Sequence, residues 1–527
     1  MTGPYLVHDT LTLSATRFPD KVALIFGEQR ETYAAIDGRS DQLAERLIEM
    51  GLKFQDRVAI FLDNSIESVI AIYGTLKAGG VMMMLNGSMK AKKLSNIMRD
   101  AGAEVLITHV NKLSVVRDAV DDFLPDCRII WIGDSTAVPK AMHARSELWT
   151  ELFRRVTSEK RERHHRSLPI DRQPYSDRNL AALIYTSGST GEPKGVMSAH
   201  CNVICAAQSI MSFIENTSDD VILNVLPLSF DYGLYQVIMA FMCGAAVILE
   251  KPFLYPAKVL ECIPREGVTG FPIVPTIAAM LLRMRNLNAF DFSSLRYITS
   301  TAAVLPVEHI RKLRALMPNV RLYSMYGLTE CKRVSYLPPE ELDRRPSSVG
   351  KAIPNCAVTI VTDDGREAAV GEVGELVVRG GNVMQGYWNA PELTAKVFRE
   401  GPQPGDRALY SGDLFRKDEE GFLYFVGRRD DLIKSRGERV SPKEVENVLC
   451  SMEGVAESAV VGVADEILGQ SVKAFVVCKP GSRLTQKEIL KFCSNHLESY
   501  MIPKHVEFLT ELPKTPHGKI DKEALRS

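Results

Sequence analysis

The sequence predicts two kinds of fold in one chain. A large N-terminal domain is α/β, with βαβ-type sheets and a β-rich subdomain, and a small, mobile C-terminal domain is α+β. Three observations predict this. Helical and strand patterns alternate through the early part, period-two stretches with tight turns replace them after about Ser347, and a densely charged segment around Asp430 leads into a short mixture of strands and helices. A boundary there gives domains of residues 1–429 and 430–527, and 527 residues are enough for more than one core.

The elements follow in order. Ile36, Leu43, Leu47 and Ile48 recur at helical spacing, and RVAIFLDN then offers a short apolar strand closed by a polar turn. Ser65 to Lys77 resumes the helical pattern, Gly79-Gly80 stops it, and VMMML reads as the next strand. Val237 to Leu249 is the longest apolar span; too short to cross a bilayer, it reads as a buried helix, a break at Gly244 and a strand. Arg154–Asn179 is polar, basic and punctuated by proline. Its His164-His165 pair has no acidic or cysteine partner at ligand spacing, so a solvated linker is expected. Further on, Cys356–Gly380 and Leu414–Gly427 read as antiparallel strands with tight turns. Past the charged stretch Arg428–Pro442 come a helix over Lys443–Cys450, strands in SAVVGVAD and KAFVVCKP, and a helix over Gln486–Leu497.

Composition narrows the functions. With 64 Lys+Arg against 65 Asp+Glu, the chain has no global field for gripping nucleic acid or an anionic membrane. Ten cysteines without a C-x-x-C pair argue against a zinc ribbon or thioredoxin-type site and read as reduced thiols. The start, MTGPYLVHDT, lacks a basic segment followed by an apolar run, so a cytoplasmic protein without a membrane span is expected. The absence of G-x-S-x-G, H-E-x-x-H and G-x-G-x-x-G removes the simplest serine-hydrolase, zincin and dinucleotide-fold readings.

The most specific string is YTSGSTGEPKG, Tyr185–Gly195. Glycines with hydroxyl residues between them form a loop that can turn N–H groups and hydroxyls toward phosphate oxygens, and Lys194 adds a positive charge. Pro193 before Lys194 and Gly195 after it exclude a Walker A loop. The string resembles the phosphate loop of the adenylate-forming superfamily, which comprises acyl-CoA synthetases, adenylation domains of nonribosomal peptide synthesis and luciferases. The resemblance continues in order along nearly the whole chain. MYGLTE (Met325–Glu330) is similar to the adenine and magnesium motif, GYW (Gly386–Trp388) and YSGDL (Tyr410–Leu414) to the ribose motif, GRRDDLIKSRGER (Gly427–Arg439) to the hinge, and PKTPHGKID (Pro513–Asp521) to the terminal lysine motif.

The resemblance implies ATP-dependent activation of a carboxylate, with acyl-AMP and pyrophosphate formed first and a thioester second. By the same resemblance Thr186, Ser187, Ser189, Thr190 and Lys194, with Gly188 among them, would hold the pyrophosphate part. Tyr326, Gly327 and Thr329 would meet the adenine nucleotide, Asp413 both ribose hydroxyls, and Arg428 and Arg439 ribose or phosphate. Glu330 would bind Mg²⁺, a hard cation suited to carboxylate and phosphate oxygens. Lys519 would bridge the substrate carboxylate and the α-phosphate, forming with Glu330 and Thr186 the catalytic set; Asp430 would be the hinge, and Gly437 would line the thiol path.

The acid is read from LPLSFDYGL, Leu226–Leu234. Phe230-Asp231 is the pattern of amino-acid-activating domains, whose aspartate binds the α-ammonium; the alternative is an Asp231 that caps or turns the following segment. The other pocket positions implied are Tyr232, Tyr235, Pro272, Ile298, Ser300, Met325, Arg333 and Val334, with Arg333 unexpected for an apolar amino acid. The favoured expectation is a small, proline-like amino acid flanked by Tyr232 and Tyr235 and loaded onto carrier-protein phosphopantetheine. The alternative is an AMP-forming acyl-CoA synthetase acting on a fatty or other organic acid. Because Ser527 follows directly on the lysine motif, the thiol is expected on a separate carrier protein or as coenzyme A.

Overall fold

The computed structural model describes residues 3–120, 127–134, 138, 146–153, 175–187, 193–250, 253, 255–431, 433–435, 438–465, 469–515 and 519–526, except 401–406. Two large sheets carry the N-terminal part. One has eight strands in the order Gly386–Tyr387, Pro193–Ala199, Leu180–Ser187, Val81–Met84, Arg57–Phe61, Ala103–His109, Arg128–Ile132 and Ser146–Leu148. The other has nine, with parallel strands in its middle (Ala246–Leu249, Val221–Asn224, Gly270–Ile273, Tyr297–Ser300, Arg321–Tyr326) and antiparallel pairs at both edges.

Two helices share one core with strands of both sheets. Ile66–Lys77 and Asp231–Cys243 are apolar almost all round, the pattern of a helix covered on every side, and Tyr73 of one stacks on Phe241 of the other at 5.4 Å. Ser65 starts the first helix through a capping box with Ser68. The second ends at Gly244 in the left-handed region (φ 81°), and the strand Ala246–Leu249 follows.

After Ser347 the chain builds an antiparallel sheet from Cys356–Val361, Gly374–Gly380, Arg407–Lys417, Phe398–Glu400 and Leu423–Arg428. A fourth sheet begins at Ile433 and encloses a separate core with the helices Pro442–Ser451 and Gln486–His496. His164 and His165 lie outside the described residues. Among the described residues the cysteines form no disulfide, and no described helix is long and apolar enough to cross a membrane.

Candidate active site

The phosphate string folds as a β-hairpin. Thr186 pairs with Lys194 and Ser187 with Pro193, so a hydroxyl and an ammonium stand at the base of the loop. The loop residues Gly188, Ser189 and Thr190, like the Ser187 side chain, lie outside the described residues. The strand Gly386–Tyr387 runs alongside the hairpin, with Tyr387 opposite Val196, and Lys194 Nζ lies 5.9 Å from the centre of the Tyr387 ring. Tyr387 Oη donates to Glu330 Oε1 at 2.7 Å, and burial pushes its hydroxyl well above the usual tyrosine range, so it stays a donor. Tyr387 thus ties the hairpin to Glu330. The sequence reading missed this residue, although it sits inside the GYW string it had singled out.

Glu330 stands on a tight turn after the strand Arg321–Tyr326. A Cβ on Gly327 would lie 2.1 Å from the Lys332 carbonyl oxygen, so the turn closes only with glycine. Lys332 takes the left-handed conformation (φ 64°), and its Nζ donates to the Thr329 carbonyl at 2.8 Å.

Asp413 is placed by a bulge. Ser411–Asp413 bulge out against Gly374–Gly380, Gly412 sits at φ 73°, and its N–H donates to Glu375 at 2.9 Å. The Asp413 carboxyl is buried, and burial raises its pKa against the opposing pull of Arg428 and Tyr326. Oδ2 accepts from Tyr326 Oη at 2.5 Å. Arg428 Nε lies 2.9 Å from Oδ1 but out of hydrogen-bond alignment, which leaves Oδ1 open to another donor. Tyr326 also packs edge-on against Phe415 at 4.9 Å. Arg439 pairs through its backbone with Lys434, and its side chain is not among those described.

Lys519 comes from the far end of the chain. Its turn is closed by the Thr515 N–H on the Lys519 carbonyl at 2.7 Å and by the Lys519 N–H on Thr515 Oγ1 at 3.2 Å. The residue is exposed, yet it feels Asp231, Arg428, Asp413 and Glu330. The protein mass around it lowers its pKa below the usual lysine range, the three carboxylates opposing and Arg428 adding to the shift. Beside this turn, Glu457 binds Lys514 at 3.3 Å and Arg283 of the large part at 2.9 Å. Arg526 binds Asp431 at 2.8 Å; the Asp430 side chain and Gly437 lie outside what is described.

On the acid side, Asp231 opens the helix Asp231–Cys243, and its Oδ1 accepts the Tyr232 N–H at 2.9 Å. Lys332, Arg333 and Lys519 all feel its charge. Tyr232 Oη is held by Thr299 at 2.7 Å and 2.8 Å, and its ring lies beneath the Arg333 guanidinium, 5.1 Å away. Tyr232 is thus fixed in the wall of the sequence-predicted pocket, and Asp231 lies within electrostatic reach of three cations. Tyr235, Ser300 and Met325 are buried in the sequence-predicted pocket, and Tyr235 Oη and Ser300 Oγ have no hydrogen-bond partner among the described residues.

Comparison with known proteins bears on the whole chain. The model for AMP-binding enzymes matches residues 11–388, and that for their C-terminal domain matches residues 444–519. The chain belongs to the AMP-binding enzyme family. It is 34% identical to a long-chain-fatty-acid–CoA ligase of Bacillus subtilis, over 98% of this chain and 93% of that one. An indoleacetate–CoA ligase of Aromatoleum aromaticum is 32% identical, over 96% and 95%. Tyrocidine synthase 1 of Brevibacillus parabrevis is 28% identical over 98% of this chain, which spans only 44% of that protein. Among solved structures, an anthranilate CoA ligase in complex with anthranoyl-AMP superposes with a TM-score of 0.87 at 26% identity, covering 100% and 97% of the two chains. An o-succinylbenzoate CoA synthetase from Bacillus subtilis, in complex with ATP and magnesium ion, gives a TM-score of 0.82 at 28% identity, covering 98% and 99%. The AMP-binding enzyme described here is an AMP-forming acid–thiol ligase of the adenylate-forming superfamily. Its relatives favour the acyl-CoA synthetase alternative over an amino acid loaded onto a carrier protein, which they do not support.

Proposed function

We propose that this enzyme is an AMP-forming acyl-CoA synthetase, joining an organic acid without an α-ammonium to the thiol of coenzyme A at the expense of ATP. One observation carries the reading. Lys519 lies within electrostatic reach of Asp231 on the acid side, Glu330 on the metal side, and Asp413 and Arg428 on the nucleotide side. The names of the relatives support coenzyme A as the acceptor.

In the first half-reaction a carboxylate oxygen attacks the α-phosphorus of ATP, the bond to the bridging oxygen of the β-phosphate breaks, and pyrophosphate leaves with the electron pair. Two anions meet, so Lys519 stabilises the charge that builds between them. Thr186 and Lys194 hold the departing phosphates, Tyr326 offers its face to adenine, and the open Oδ1 of Asp413 accepts from ribose hydroxyls. Glu330 fits Mg²⁺: one oxygen is engaged by Tyr387 and the other is available. Mg²⁺ usually takes one or two carboxylates, with waters and phosphates completing its shell, so the lack of a cluster of three or more metal-ligating residues among those described does not oppose this fit. When bound, the ion would neutralise phosphate charge.

In the second half-reaction a thiolate sulfur attacks the acyl carbon, and the bond from that carbon to the AMP oxygen breaks. Lys519 now stands in the way. Residues 430–527 would swing about Asp430, which lies in the turn Arg429–Asp431 between two sheets, and bring Gly437 to the thiol path. The test is ATP–pyrophosphate exchange over a panel of fatty, aryl and amino acids, followed by thioester analysis with coenzyme A and with phosphopantetheinylated carrier proteins. Exchange with acids lacking an amino group, and a CoA thioester as product, is expected. Exchange confined to amino acids, with product only on a carrier, would overturn the reading.

A further inference from the structure

Arg333 is the feature of the acid side that the reaction as described does not use. It is 5% exposed, and Thr301 Oγ1, at 2.6 Å from Nη1, is the one acceptor its side chain has among the described residues. Its Nε is buried without a partner, and no carboxylate of the described residues lies within ion-pair distance. Ser300, one residue before Thr301, has a buried, unpaired hydroxyl, and so does Tyr235, which lies within electrostatic reach of Arg333. Folded proteins rarely leave so many buried polar atoms unpaired in one place, and a ligand that completes them is the simplest explanation.

We infer that Arg333 selects the substrate, and that the acid carries a second carboxylate, held by the buried guanidinium, besides the one that is activated. This deepens the acyl-CoA synthetase reading and rests on it. Three alternatives for the acid's distal group fail on the same residues. An alkyl tail would seal an unpaired guanidinium in an apolar wall, which is strongly unfavourable. An ammonium would face the like charge of the buried Arg333 guanidinium, which has no carboxylate paired with it among the described residues. A neutral hydroxyl or carbonyl would leave the charge uncompensated. A carboxylate matches the planar fork of a guanidinium and leaves lone pairs for the Tyr235 and Ser300 hydroxyls. The cation already rests on the Tyr232 ring, which fixes its plane before the acid arrives. Burial lowers the pKa of Arg333, a penalty that a bound carboxylate would relieve.

The experiment pairs dicarboxylic with monocarboxylic acids of equal carbon number and measures kcat/KM for CoA-thioester formation by the full-length enzyme. Wild type should favour the dicarboxylic member by a factor on the order of 10²–10³. In Arg333→Leu that ratio should collapse toward unity, with the loss carried mainly by KM, and Arg333→Lys should restore part of it. Tyr235→Phe, a smaller change, should cut the ratio about tenfold and keeps the test open should Arg333→Leu not fold. A wild type that forms CoA thioesters from monoacids at least as well as from their dicarboxylic partners would overturn the inference alone. So would an unchanged ratio in folded Arg333→Leu. Activity confined to amino acids on a carrier protein would instead overturn the parent reading.

Discussion

On the nucleotide side, Thr186 and Lys194 face each other across a hairpin, Asp413 stands on a bulge and Glu330 on a glycine-closed turn. On the acid side, Asp231, Ser300, Tyr232 and Arg333 come from a helix, a strand and a loop that meet only in the folded chain. In the first group the hairpin at Thr186 and Lys194 and the turn at Glu330 close within their own stretches of sequence. The second takes its chemistry from residues far along the chain, and Asp231 shows the consequence. In its string it resembles an ammonium ligand. In the fold it accepts the N–H of Tyr232 at the start of its own helix and lies within electrostatic reach of Lys332, Arg333 and Lys519.

Four measurements would break or sharpen this contrast. The largest effect is expected at Lys519, proposed above to serve both sides. Lys519→Ala should lower pyrophosphate exchange on the order of 10²–10³-fold, as expected for losing one preorganised donor. Thioester formation from supplied acyl-AMP should survive much better, and an equal fall in both half-reactions of the folded variant would remove Lys519 from its place. Next, Asp413→Asn should raise KM for ATP about 10–100-fold, the range for losing charged hydrogen bonds, with the KM of the acid little changed. A comparable rise in both would mean that Asp413 supports the whole site rather than the nucleotide.

A smaller effect is expected at Asp231, despite its central position. Were it the partner of an α-ammonium, removing it would cost about 3–5 kcal/mol. With cations already around it, Asp231→Ala should change exchange by less than about tenfold with acids that lack an amino group. Abolished exchange with every acid, in a folded variant, would restore Asp231 as the substrate anchor. The smallest effect is a displaced pH limb. The pKa of Lys519 is lowered, so its ammonium is complete at low pH and is lost as pH rises through a value below that of a free lysine. Exchange should therefore fall on the alkaline side, and Lys519→Arg, whose charge persists, should push that limb upward. A limb at the same pH in both would assign it to another group.

Local elements were legible in the sequence where local physics decides them. Ser65–Lys77 forms a helix over Ile66–Lys77 because Ser65 caps it, and the break at Gly244 falls where a left-handed residue ends a helix. The start of that second helix is read only as the alternative, an Asp231 that caps or turns the following segment. It begins at Asp231, within a stretch the sequence presented as a pocket wall, because a segment that serves both roles gives one pattern only. Tyr387 escaped notice for a related reason. Its string resembles a ribose motif, whereas its hydroxyl reaches Glu330, fifty-seven positions earlier in the chain. Arg333 was noticed as unexpected, but its unpaired Nε depends on which side chains the fold withholds from it.

The carboxylate of Glu457 joins two tasks that the chain otherwise keeps apart. It grips Arg283 of the large part, and it grips Lys514 at the foot of the turn that ends in Lys519. Arg283 is 46% exposed, and ion pairs of that kind contribute about 0–1 kcal/mol and fade as salt screens them. For the swing proposed for residues 430–527, this seam would be an ionic latch rather than a weld, firm enough to aim Lys519 and weak enough to release it at thermal energies. The salt content of the medium would then be a dial on that latch, and higher salt would favour its opening.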